Sequence, residues 1–375
     1  MTAFVVPVAA RELAADSGAV IDMPAGFTPG EGDGKTRFAY FDANNGMELD
    51  IRIYEPGHYP SAQSMAADIL GQIGSKGDVS SFTYQGHDAV IADMAFALDG
   101  VAQKGYALFI AGTVSGSDDA STGPGYALIA STAASRFDSY SELLISSLDS
   151  FSIDRVARRF PGPVSQFLFP WPAVRSEKKE TALPSGRVSL AWSTDEEKQT
   201  LSIAQREYHV MTMYLKSETL WQEAWARYYR MIYKESAARL DSFTEALSAS
   251  LPANDPTETA RRVLAWIQGF LYERDFAGID FVPPLTAAFE RRGDCDSRAM
   301  VMAIVLERLG IDSVLMVSRE YSHAMLAVDV PGGGQRFPFN GKSYLVAETT
   351  AKVGIGQIDA SQTDISKWLG VDLGN

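Results

Sequence analysis

Arg292-Gly293-Asp294-Cys295-Asp296-Ser297-Arg298 runs straight into AMVMAIVLERLG, residues 299–310, and the reading of this stretch decides the C-terminal fold. The run after Cys295 is mostly apolar and built from good helix formers, so it predicts a largely buried helix. Gly310 stops that helix, as a glycine just past a C-terminus does. DSVLMVS, YSHAMLAVDV and SYLVAET follow as strands, joined by a polar turn at Ser318-Arg319-Glu320 and a loop at PGGGQRFPFNGK. Upstream, PTETARRVLAWIQGFLYER predicts a helix capped by Asp255 or Thr257, with Pro256 in its first turn. Its apolar stripe runs through Val263, Ile267 and Leu271, and Pro283-Pro284 breaks the helical pattern before the cysteine. A last unit over residues 256–375 results.

Residues 19–153 form a first unit. KTRFAYFD and MELDIRIYE partly alternate as half-buried strands do. SAQSMAADILGQIG opens at Ser61 and places Met65, Ile69 and Ile73 at helical spacing. SFTYQGHDAVIADMAFAL returns to strand, with Gly86-His87-Asp88 as its hairpin turn. GYALFIAGT and GYALIASTA add two more strands around an exposed loop, SGSDDASTGPG, and SYSELLISSLDSF closes as an amphipathic helix. Between the units, the prolines and the SEKKE run of residues 154–182 predict an extended connector. Residues 183–255 predict a hairpin, RVSLAWST with QTLSIAQREYHVMTMYL, and then a long helix from Trp221 whose aromatic stripe packs on a core. The fold class is α+β: an N-terminal helix-covered antiparallel sheet, then a C-terminal helix packed on an antiparallel sheet.

Composition narrows the function. The chain has 375 residues, 46% hydrophobic and 21% charged, which excludes disorder for most of it. Its 33 basic and 47 acidic residues give a net charge of −14, and no basic cluster is long enough for a nucleic-acid face. No segment approaches the roughly 18–20 apolar residues of a spanning helix. MTAFVVPVAA lacks a basic n-region and reads poorly as a signal peptide, so localisation stays open between cytoplasm and, had a signal been removed, periplasm or exterior. Oligomeric state is equally unreadable. A single cysteine excludes an internal disulfide and a multi-cysteine metal centre. DDASTGPG lacks the ligand spacing of an EF-hand loop. His58 and His87 lie in loop-like context and His209 in an aromatic segment, all read as surface or packing residues.

Cys295 carries the chemical argument. Free N–H groups and the dipole at a helix start favour thiolate and help receive an oxyanion. Asp294 and Asp296 push the other way, so a cationic partner is needed. His323, in SHAMLA, is the only histidine after residue 209. Asp329 is six residues further along the same strand, roughly 20 Å away at ~3.3 Å per residue. Glu348 lies in a neighbouring strand, where cross-strand pairing brings it beside His323, and Thr349 and Thr350 are placed to orient it. Gln268 and Tyr272 are candidates for the oxyanion hole.

Gly293-Asp294-Cys295-Asp296, LERLGIDS, SHAMLAVD and YLVAETT resemble the core of the transglutaminase-like superfamily, within the papain-like fold. The resemblance covers about 120 residues, from near Ala260 to Gly356. It implies Cys295 as nucleophile, His323 as its base and Glu348 as the acidic third member. It departs at two places: the third member is usually aspartate, and the common His-Ala-Trp phrase is here His323-Ala324-Met325. Residues 19–153 resemble the PsbP and Mog1 domain in element order and in phrases such as Gly26-Phe27 and GYALIASTA.

Together these predict a cysteine-dependent peptidase or amidase, a thiol hydrolase working through a thioester acyl-enzyme. Its substrate would be a peptide or protein, cell-wall peptide among them, with no metal or organic cofactor. Two other readings stand beside it: a transglutaminase-type acyl transferase, and a non-catalytic binding or scaffold protein of the same fold.

Overall fold

The computed structural model describes residues 11–13, 17–42, 46–114, 123–252, 254–274 and 279–374. Most of the SGSDDASTGPG loop, including the acids of DDASTGPG, and the MTAFVVPVAA segment lie outside them. The chain separates into two compact units, one of residues 11–172 with 212–224 and the other of residues 173–211 with 225–374. The architecture is α+β, with helices packed against antiparallel sheets.

The first unit begins with a two-stranded ladder, β1 (Arg11–Glu12) and β2 (Val20–Ile21). Its main sheet holds β3 (Thr28–Pro29), β4 (Arg37–Asp42) and β5 (Met47–Tyr54), then β6 (Val79–Tyr84), β7 (His87–Leu98), β8 (Val101–Val114) and β9 (Gly125–Ala133) after helix α1 (Ala62–Gln72). The order across it is β3-β4-β5-β9-β8-β7-β6, antiparallel throughout. Side chains of β8 alternate between faces. Ala107, Phe109 and Ala111 meet Met65, Ala66 and Leu70 of α1, and Leu108 and Ile110 are buried on the other side. Helix α2 (Phe137–Asp149) lies against β8 and β9. Ser61 caps α1 in a reciprocal box with Ser64, and Asp88 accepts the Ala62 N–H at 2.9 Å.

Two expectations shift by a few residues. The β6–β7 turn is Gln85-Gly86, both at positive φ, so His87 and Asp88 already belong to the strand. Residues 154–182 are not uniformly extended, since they contain a 3-10 turn at Val156–Arg159 and a short helix, α3 (Pro163–Leu168). The cause is local. Pro163 fits the first helical position, and buried Asp149 accepts the Ser165 N–H at 2.8 Å and its hydroxyl at 2.6 Å.

The second unit opens on a ribbon, β10 (Glu177–Leu183) paired with β11 (Gly186–Trp192). The charged residues of the SEKKE run, from Glu177 on, are therefore strand, and the expected partner of β11 is helix. That helix, α4 (Thr194–Thr212), buries Glu196, Gln199, Ile203, Glu207 and Val210, a spacing of three and four that outweighs the β-branched residues at its end. The long helical stretch is interrupted between α5 (Trp221–Ser236) and α6 (Asp241–Ser248). Then come α7 (Pro256–Ile267), capped by Asp255, the short strand β12 (Leu271–Tyr272), α8 (Pro284–Glu290), β13 (Arg292–Gly293) and α9 (Cys295–Arg308). Strands β14 (Ser313–Ser318), β15 (His323–Val328), β16 (Arg336–Phe339), β17 (Lys342–Ala347) and β18 (Leu369–Val371) form a sheet of order β16-β17-β15-β14-β18. Helix α9 lies against β14 and β15, with residues 297–306 all buried. The loop expected at PGGGQRFPFNGK contains an edge strand, β16, turned by Asn340-Gly341 at positive φ.

Candidate functional site

Asp294 is the N-cap of α9. Its Oδ1 accepts the Ser297 N–H at 2.9 Å and the Ser297 hydroxyl at 2.6 Å, and Ser297 Oγ in turn accepts the Val282 N–H at 2.9 Å. Gly293 precedes it at φ +149°, and a Cβ there would stand 2.7 Å from that of Ser297, so the turn needs glycine. These contacts bury Cys295 at the first position of the helix, 6% exposed.

The thiol does not face outward as a free nucleophile. Cys295 Sγ donates to Asp296 Oδ1 at 3.1 Å, and the other oxygen of Asp296 accepts the Tyr229 hydroxyl. The ligand atoms of Asp294, Cys295 and Asp296 lie within 4.8 Å of one another. Burial pushes the thiol far above its ordinary range, and the charges of Asp296 and Asp294 add to it against a weaker opposing hydrogen bond from the Ala324 N–H. Burial also raises both acids, Asp294 to about 7 with Asp296 as second cause. As a metal-ligand set this group is already committed: Asp294 to Ser297, Asp296 to Tyr229 and the thiol.

His323 and Glu348 meet at the sheet. Leu326 of β15 pairs with Ala347 of β17, and His323 Nε2 lies 2.7 Å from Glu348 Oε2. Glu348 Oε1 accepts the Thr350 N–H and hydroxyl, each at 2.6 Å. Burial raises the Glu348 carboxyl, but His323 and Thr350 outweigh it and hold the group below its usual range. Asp329 is exposed and 3.4 Å from Lys342, on the far side of the strand's length from His323. Trp368 stands edge-on to His323 with ring centres 6.1 Å apart, so the aromatic wall comes from beside β18 rather than from position 325. Nothing in the sequence pattern marked Trp368 or Tyr229 as belonging here.

Two buried side chains fix this geometry. Arg298 donates to the carbonyls of Gly293 (3.1 Å), Thr349 (3.3 Å) and Phe270 (2.6 Å), joining the start of α9 to the segment after Glu348. Gln268, expected near an oxyanion hole, instead donates to the carbonyls of Glu348 and Val353 at 2.8 and 2.9 Å. Tyr272 is half exposed beneath the Arg298 guanidinium. The other histidines have structural surroundings: His58 stacks on Tyr54, His87 contacts the Ala111 carbonyl at 3.1 Å, and His209 is exposed on α4.

The expected Cys295-His323-Glu348 triad is therefore corrected. Among the described residues Cys295 makes no hydrogen bond to His323 or Glu348. It is clustered with Asp294 and Asp296 and donates to Asp296, and burial with the adjacent carboxyls pushes the thiol up, against the thiolate that a nucleophile needs. The helix field that favours thiolate loses to burial and two adjacent carboxyls. The readings as cysteine peptidase, amidase or other thiol hydrolase, and as acyl transferase, fall with it.

No protein-family model matches the chain, and no curated protein matches it in sequence. Among solved structures, LpqN, described as involved in cell envelope biogenesis of Mycobacterium tuberculosis, is 14% identical with a TM-score of 0.25, over 36% of this chain and 79% of that one. A protein of Bacteroides thetaiotaomicron is 8% identical with a TM-score of 0.27, over 88% of this chain and 87% of that one. At these TM-scores neither likeness bears on fold or activity. Among the described residues no helix is long and apolar enough to cross a membrane.

Proposed function

We propose that the C-terminal unit is a peptide-recognition module on a transglutaminase-like, papain-related scaffold that has no thiol chemistry. The hydrogen bond from Cys295 to Asp296, inside a buried pair of carboxyls, carries this reading. The scaffold assignment draws support from element order: a buried helix opening at Cys295, then His323 at the start of β15 and Glu348 just after the neighbouring strand β17. The recognition role draws support from the part-exposed His323 ring, held by buried Glu348 and bordered by the buried Trp368 ring, since aromatic residues are enriched at interfaces. Its ligand class is a peptide or protein segment, cell-wall peptide included. The N-terminal unit is proposed to be PsbP/Mog1-like, on its sequence resemblance.

Equilibrium binding of a labelled random peptide pool and of labelled cell-wall tetrapeptides tests the proposal, with product analysis on the same samples. Binding is expected to survive in Cys295→Ala and weaken in Trp368→Ala, with no product formed. Peptide cleavage or amine transfer that disappears in Cys295→Ala would overturn it, and so would the absence of binding by either pool.

A further inference from the structure

Helix α1 covers only part of its sheet face. Beside it a cavity of about 240 Å³ remains, floored by Ala127 and Ile129 of β9 and walled by Ile69 and Ile73 of α1. Its rim is charged in an unusual way. Arg37 of β4 and Arg52 of β5 are direct cross-strand partners, a like-charge pairing that disfavours the sheet. Asp50 lies two residues from Arg52 on the same face, and Glu31 completes the rim. Among the described residues the side chains of Arg37, Asp50 and Arg52 make no hydrogen bond or ion pair. Two exposed cations and a carboxylate thus surround an apolar floor, with Asp50 in the field of both guanidiniums.

We propose that this cradle binds a small zwitterion with an apolar arm, of the α-amino acid class. Arg37 and Arg52 take the carboxylate, Asp50 takes the ammonium, and Ile69, Ile73, Ala127 and Ile129 take the side chain. A purely anionic ligand leaves Asp50 facing another negative charge, and a purely cationic one leaves the paired guanidiniums unrelieved. Both signs on one ligand answer Arg37, Arg52 and Asp50 together. The volume suits one amino acid, since pockets for drug-sized ligands run to about 300–1,000 Å³. Small Ala39 and Ala127 leave the space open between the strands.

Isothermal titration of the full chain with L-leucine, isocaproate, isopentylamine and glycine tests this. Leucine is expected to bind, with isocaproate and isopentylamine each weaker by about tenfold or more, the loss of one charge-assisted contact. Glycine, lacking the arm, is also expected to bind more weakly. Arg52→Gln and Asp50→Asn change exposed side chains, so circular dichroism should match the parent, and each should weaken leucine by about tenfold or more. No leucine binding, isocaproate or isopentylamine binding as tightly as leucine, or unchanged affinity in both variants would overturn the proposal. None of these outcomes depends on the state of Cys295.

Discussion

Replacing Arg298 by methionine removes a guanidinium that is 2% exposed and donates to three backbone carbonyls in separate segments. The Gly293 carbonyl keeps a second donor, the Glu273 N–H at 3.3 Å, so two acceptors, those of Phe270 and Thr349, are orphaned. Each buried carbonyl left without its donor costs about 1–3 kcal/mol. Loss of the cation–π contact with Tyr272, 5.3 Å from the guanidinium, adds about 0.5–1 kcal/mol. Against this, methionine escapes the desolvation of a buried cation, a penalty of several kcal/mol that already depresses the Arg298 pKa. The net expectation is a loss of about 1–4 kcal/mol, the orphaned acceptors less that relief. Urea unfolding followed by tryptophan fluorescence reads it directly. Lysine at this position, with a point charge in place of a fork, should fall between the two. Both variants lying within about 0.5 kcal/mol of the parent would refute the claim that Arg298 ties these segments together.

Asp294→Asn keeps a capping oxygen for Ser297 but removes a carboxyl raised to about 7. A raised acid stabilises the fold below its unfolded pKa and loses that contribution as pH rises through the folded value. The variant should therefore gain on the parent between about pH 4 and pH 7, by about 2–4 kcal/mol, as denaturation across that range would show. Glu348 has the opposite sign, since its folded pKa is lowered. Its contribution is present above the unfolded value near ~4.3 and lost in acid, so the stability gap between parent and Glu348→Gln should close as pH falls below about 4. Gly293→Ala sets a Cβ 2.7 Å from Ser297 Cβ at φ +149° and should lower the melting temperature through a loss of about 1–3 kcal/mol.

Local signals carried much of the fold. The glycine-containing turn before Cys295, the apolar run to Leu309 and the stop at Gly310 specify α9 from the chain alone, and Asp255-Pro256 starts α7. Where two local signals competed, the sequence misled. The end of α4 alternates like a strand, and only its buried positions at spacings of three and four, Glu196 and Glu207 among them, mark a helix; Asn340-Gly341, a hairpin signal, sits inside a glycine-rich loop. Within the site, strand arithmetic separates Glu348 from Asp329. Tyr229 and Trp368 reach it across 67 and 45 residues from Asp296 and His323 and leave no mark in the spacing. The contest at Cys295 was visible as residue types but not as an outcome, because burial is a property of the packed protein.

Thiolate absorbance of the native protein against pH, with Cys295→Ser as the blank for tyrosine, tests the central claim most directly. One cysteine makes the signal unambiguous. We expect no thiolate until the protein unfolds, even above the ~8.5 at which an unperturbed thiol titrates. A native thiolate titrating at or below that value would contradict the account.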